Sequence, residues 1–178
     1  MAYDQGVLEI MSPGVRHEEA KHLISRMIET WAEVRDTDIR GVASSTFRRE
    51  DLQRGFEGDE AYYIANAQRV RGLDEIDLLI HPAPDLVIEV DISGRSMRKF
   101  AIYESLGVPE VWIFDGQTVA VYVADPNRRL VEADESAGLQ SFPLKRVASV
   151  IQQAHEHGET AAIREFRNSI VPSSAEQS

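Results

Sequence analysis

The residues that could do chemistry in this chain are concentrated between Pro84 and Gly116, in the run PDLVIEVDISGRSMRKFAIYESLGVPEVWIFDG. Leu86 to Ile92 is an apolar strand candidate that carries Glu89 and Asp91. Side chains alternate faces along a strand, so Asp85, Glu89 and Asp91 share one parity while Leu86, Ile88, Val90 and Ile92 share the other. Carboxylates gathered on one face of a buried strand repel one another and raise each other's pKa unless a cation neutralises them. A hard divalent cation with oxygen ligands is the chemistry this arrangement suggests. Residues two apart on a strand lie roughly 6.6 Å apart at Cα, and residues four apart roughly 13 Å. Glu89 and Asp91 can therefore share one ion, and Asp85 is placed outside them, either accepting backbone hydrogen bonds at the start of the strand or supporting that site or serving a second metal.

Ser93, Gly94 and Arg95 read as a turn after the strand, followed by a short helix from Ser96 to Leu106 and a second buried strand from Glu110 to Asp115. At 100° per residue, Lys99 falls between Ile102 and Leu106 on one side and Tyr103 on the other. A lysine within an apolar arc needs a partner, because an unpaired buried ammonium is costly. Either Lys99 reaches the carboxylates of the preceding strand, or its stem lies along the apolar surface while its head reaches water.

The run PDLVIEVDI, the small-residue turn and then K-x-x-x-Y-x-x-x-GVPEVWIFDG resemble the Uma-type family of putative restriction endonucleases, within the PD-(D/E)xK nuclease superfamily. The likeness extends to YDQGVLEIMSPGVRHEEA and GFEGDEAYYI, covering most of residues 3 to 123. It implies a restriction-endonuclease-like mixed β-sheet flanked by helices, α/β or α+β in class. Superfamily nucleases take one acid from one strand and a (D/E)xK pair from the next. Asp59 then matches the first acid and Glu89 the second. Asp91 stands at the lysine position, with Lys99 as the lysine supplied from the helix. That departure means either a relocated lysine or a lost activity. An acid of the first helix often joins such sites, which puts Glu18 there by resemblance, with His17 beside it as a supporting residue. Glu18 and Glu19 equally suit the positive end of the helix dipole.

The expectation that follows is a Mg²⁺- or Mn²⁺-dependent nuclease hydrolysing DNA, with RNA left open as a substrate. Asp59, Glu89 and Asp91 would hold the metal, and Lys99 would orient a water or stabilise the transition state. The alternative is a catalytically inactive binding or assembly module that keeps the fold and uses the metal as a structural staple. A homodimer is a further expectation, because cutting both strands of a duplex commonly uses two sites, and the hairpin after Trp112 offers an edge for pairing.

Composition fits one domain over residues 1–171 with a polar tail at 172–178. The absence of cysteine excludes disulfides, thiolate metal sites and cysteine nucleophiles. No apolar run approaches the roughly 18 residues a membrane span needs, and no signal pattern opens the chain, so a cytoplasmic address is expected. The net charge of −11 runs against nucleic-acid binding. Arg48, Arg49 and Arg54, and Arg95, Arg98 and Lys99, are the local basic clusters that could offset it.

The elements that must position these residues can be read along the chain. Val7 to Met11 alternates as a strand and stops at Ser12-Pro13-Gly14. Ala20, Leu23, Ile24, Met27, Ile28, Trp31 and Val34 mark an amphipathic helix beginning near Val15. A strand is expected over Ile39 to Arg48 and another over Ala61 to Ile64, just after Asp59. Gly58 replaces the proline usual before that acid, which would loosen the turn. Asn66 to Leu79 reads as a turn or short helix followed by an irregular segment. A hairpin turns about Gly116-Gln117, Arg128 to Ala133 adds an edge strand, and helices follow over Leu144 to Ala154 and Glu159 to Ile170. His155 and His157 lack i, i+4 spacing and are not placed in a metal site.

Overall fold

A computed structural model of the protein describes residues 1–9, 14–91 and 99–171. The core is a six-stranded sheet of β3 (Arg40–Gly41), β6 (Glu60–Tyr63), β7 (Leu86–Val90), β8 (Glu110–Phe114), β9 (Val119–Ala124) and β10 (Leu130–Ala133), in the order β10-β9-β8-β7-β6-β3. Only β7 and β8 run parallel; the other neighbours are antiparallel. A smaller sheet of β1 (Ala2–Asp4), β2 (Val7–Glu9), β4 (Phe47–Arg49) and β5 (Arg54–Phe56) has the order β2-β1-β5-β4.

Strand alternation sorts the large sheet into two cores. Leu86, Ile88 and Val90 of β7 face one way, with Trp112 and Phe114 of β8, and are covered by helices α1 (Val15–Val34), α4 (Val147–His157) and α5 (Glu159–Ile170). Leu23, Ile24, Met27, Ile28 and Trp31 of α1 are all buried there, as their three- and four-residue spacing predicts. Val87, Val111 and Ile113 face the other way, against the short helix α3 (Phe100–Leu106) and the small sheet, through Ile102, Tyr103, Phe47 and Phe56. Each large apolar side chain so enclosed contributes about 1.5–3 kcal/mol.

The parallel β7–β8 pair needs a crossover, and α3 supplies it. Gly107, at φ +80°, ends α3 in the left-handed conformation that costs glycine little. The buried Glu110 at the start of β8 accepts hydrogen bonds from Trp112 Nε1 at 2.6 Å and from the amides of Ala137 and Gly138 at 3.1 and 2.8 Å. It fastens the segment around Gly138 to the sheet.

Several expectations are corrected. The strand read over Ile39 to Arg48 is two short strands in different sheets, divided where Ala43 takes φ +48°. Strands β1 and β5 are additional, and the short helix read after Asn66 is α2 (Ala67–Val70). The hairpin after Trp112 is not an edge, because β10 covers β9; the sheet ends at β10 and β3. The Ser93-Gly94-Arg95 turn, the residues from Ser96 to Arg98 and the 172–178 tail lie outside the described residues. Among the described residues no helix is long and apolar enough to cross a membrane.

Candidate functional site

Glu89 sits near the end of β7 on the face turned toward α3, and it is 3% exposed. Lys99 occupies the N-cap position of α3, and its side chain reaches back to the strand. Its Nζ lies 3.0 Å from Oε1 and 2.8 Å from Oε2 of Glu89. Of the two readings of this lysine, the structure selects the carboxylate partner. Tyr103, one turn along α3 and fully buried, donates its hydroxyl to Glu89 Oε1. Burial drives the Glu89 carboxyl above its ordinary range; the Lys99 charge opposes that rise and Asp59 adds to it. The Tyr103 hydroxyl is pushed well up by burial and by the neighbouring Glu89 charge.

Asp59 lies just ahead of β6, beside β7. Its amide donates to Ile88 O at 3.0 Å, and its Oδ2 accepts the Val90 amide at 2.7 Å. These bonds bring the first acid alongside the strand that carries the second. Gly58 is not a loosened turn: it is buried, and a Cβ there would stand 2.6 Å from Val87 Cγ1. The missing side chain lets the Asp59 backbone close on β7.

The first turn of α1 arrives at the same place. His17, 8% exposed, holds Nε2 3.1 Å from Asp59 Oδ2 and Nδ1 3.3 Å from Glu18 Oε1. The Glu18 side chain is half exposed and also faces Lys21 at 3.7 Å, while Lys21 lies 4.0 Å from Glu60. Burial raises the Glu60 carboxyl, against the pull of Lys21.

Asp91 is buried at the end of the strand, its amide bonded to Phe114 O at 2.8 Å. Asp85 is engaged elsewhere: its carboxylate accepts the amides of Ile64 and Asn66 at 2.7 and 2.9 Å and the Asn66 side-chain amide at 2.6 Å. It secures the turn after β6. Among the described residues no three of His, Asp and Glu converge as a ready-made metal cage. The carboxylates instead form two neighbouring groups, Glu89 with its lysine and Asp59 with its histidine.

Two features escaped the sequence reading. Tyr103 is at i+4 from Lys99, a spacing that puts both on one helix face, and that was the available signal. The approach of His17 to Asp59 has no local signature. The arginines offset less than expected, since Arg49 pairs with Asp51 at 2.6 Å and Arg54 with Asp4 at 2.9 Å. Arg95 and Arg98 fall outside the described residues.

Set against known proteins, residues 1–150 match the family model Uma2, described as putative restriction endonuclease. The crystal structure of a putative nuclease belonging to DUF820, from Anabaena variabilis ATCC 29413, superposes with a TM-score of 0.60 at 16% identity, over 84% of this chain and 90% of that one. The type IIG restriction endonuclease BpuSI overlaps at a TM-score of 0.46 and 13% identity, over 93% of this chain and 18% of that one. No curated protein matches. The fold is restriction-endonuclease-like, a mixed sheet with α1, α4 and α5 on one face and α3 with the small sheet on the other.

Proposed function

The chain belongs to the Uma2 family of putative restriction endonucleases, and from that membership we propose that it is a divalent-metal-dependent nuclease hydrolysing phosphodiester bonds in DNA. The observation that carries this reading is the buried Glu89–Lys99 pair beside Asp59, joined across adjacent strands. Two acids and a lysine gathered where β6 meets β7 are the groups such hydrolysis requires, although the lysine comes from α3 rather than from the strand.

The donor set fits Mg²⁺ or Mn²⁺. Asp59 and Glu89 offer carboxylate oxygens, with Asp91 next along the strand, and these suit hard cations that keep several waters and bind through one or two carboxylates plus substrate phosphate. When bound, such an ion lowers the pKa of a coordinated water and offsets charge developing on the phosphate. Lys99, held beside Glu89, supplies a fixed ammonium that orients the attacking water or stabilises the transition state. Tyr103 holds the Glu89 carboxylate in one orientation.

The net charge of −11 and the neutralised Arg49 and Arg54 favour a second reading, a non-catalytic module in which the metal only stabilises the fold. Cleavage of supercoiled and single-stranded DNA with Mg²⁺ and Mn²⁺, beside Glu89→Ala and Lys99→Ala, separates the two. Metal-dependent nicking lost in both variants is expected. No cleavage, with metal still raising Tm, would transfer the assignment to the binding module.

A further inference from the structure

His17 presents a buried nitrogen that the Glu89–Lys99 chemistry leaves unused. Its Nδ1 faces Glu18 Oε1 at 3.3 Å. In the tautomer that donates from Nδ1 to this carboxylate, Nε2 carries a lone pair. Nε2 lies 3.1 Å from Asp59 Oδ2, yet it is a buried atom with no hydrogen bond. Asp59 Oδ2 already accepts the Val90 amide at 2.7 Å. At that separation an aligned N–H···O contact would be an ordinary hydrogen bond. A buried imidazole nitrogen beside a carboxylate oxygen, with no hydrogen bond between them, is the arrangement that two ligands of a common cation take.

The spacing agrees with that interpretation. Metal–nitrogen and metal–oxygen bonds of about 2.1 Å put adjacent ligands of an octahedral ion about 3.0 Å apart, against the 3.1 Å separating these two atoms. We propose that His17 Nε2 and Asp59 Oδ2 are adjacent ligands of one divalent cation. Glu18 then touches the imidazole and not the ion, fixing its tautomer and orientation as carboxylates do behind metal-bound histidines. This gives the exposed Glu18 a role different from direct ligation. Resting on the nuclease reading, the inference also specifies its ion: an imidazole ligand favours a first-row transition cation such as Mn²⁺ over Mg²⁺.

The experiment is electron spin-echo spectroscopy of the intact protein loaded with Mn²⁺, together with calorimetric Mn²⁺ and Mg²⁺ titrations. The wild type should show nitrogen modulation from a directly bound imidazole, and labelling its histidines with ¹⁵N should change the pattern. His17→Gln should abolish the modulation and weaken Mn²⁺ binding by about tenfold or more, with a smaller loss for Mg²⁺. His22→Gln, at a more exposed position of α1, should leave the signal intact. Mn²⁺ binding that depends on Glu89 but shows no histidine nitrogen would overturn the His17 assignment while leaving the metal-dependent reading in place. Failure of the wild type to bind Mn²⁺ at all would overturn both. The labelled wild type reports ring ligation even if His17→Gln does not fold.

Discussion

Lys99→Met tests the buried pair most directly, because it removes the ammonium and leaves a side chain of similar length. Glu89 retains only the Tyr103 hydroxyl among its described donors, in a site where its side chain is 4% exposed. Removing one partner of a buried ion pair costs about 3–5 kcal/mol, because the other charge stays desolvated. With a urea m-value of roughly 2 kcal/mol per M, the midpoint should fall by about 1.5–2.5 M at pH 8. Adding Glu89→Gln removes the orphaned charge and keeps an acceptor for Tyr103, so the double variant should recover to within about 1–2 kcal/mol of wild type. The pH dependence has a defined sign. The folded Glu89 carboxyl is already raised, so its contribution to stability falls as pH rises from about 4.3, the unfolded value, through the folded one. Deleting Lys99 removes the charge that opposes the rise, so the single variant's deficit should be larger at pH 8 than at pH 4. A loss below about 1 kcal/mol at pH 8, or a double variant no better than the single, would refute the description of Glu89 as a buried, lysine-compensated charge.

Three further outcomes follow from contacts already described. Gly58→Ala should destabilise by about 1–3 kcal/mol through overpacking against Val87, measured by denaturation, and it should weaken metal binding by displacing Asp59. Asp85→Ala should cost about 2–3 kcal/mol, because it strips the acceptor from two amides and a side chain in the Ile64–Asn66 turn; Mn²⁺ affinity should stay near wild type, and its collapse would instead place Asp85 in the metal site. The Asp115 carboxyl is held below its ordinary range by the amides of Thr118 and Gln117. Its contribution is present above the unfolded pKa of about 3.9 and is lost as pH falls through the lower folded value. Asp115→Asn should remove that acid-side component from the stability–pH curve.

The most legible parts were those in which local pattern and burial coincide. The α1 stripe and the alternation of β7 follow directly from residue order, and Glu89 stood out because a carboxylate on an otherwise apolar strand demands compensation. Strands β1 and β5 escaped because Ala2–Asp4 and Arg54–Phe56 are too short to show a period, and Gly55 weakens any strand signal. The false continuous strand over Ile39 to Arg48 arose because nothing in its apolar spacing announces the left-handed turn at Ala43. The meeting of His17 with Asp59 depends on how α1 docks on the sheet, which is a tertiary event without a local trace.

The crossover through α3 also divides the site by loop length. Glu89, Lys99 and Tyr103 all belong to the β7–α3–β8 unit, so their contacts close over short stretches of chain. His17 and Asp59 are brought together only when α1 and β6 dock from much earlier in the sequence. Loop-closure entropy favours the shorter connections first. During refolding, the lysine-compensated carboxylate should thus acquire its surroundings before the histidine meets its aspartate, and the ordering of the second pair reports the final closure of the sheet.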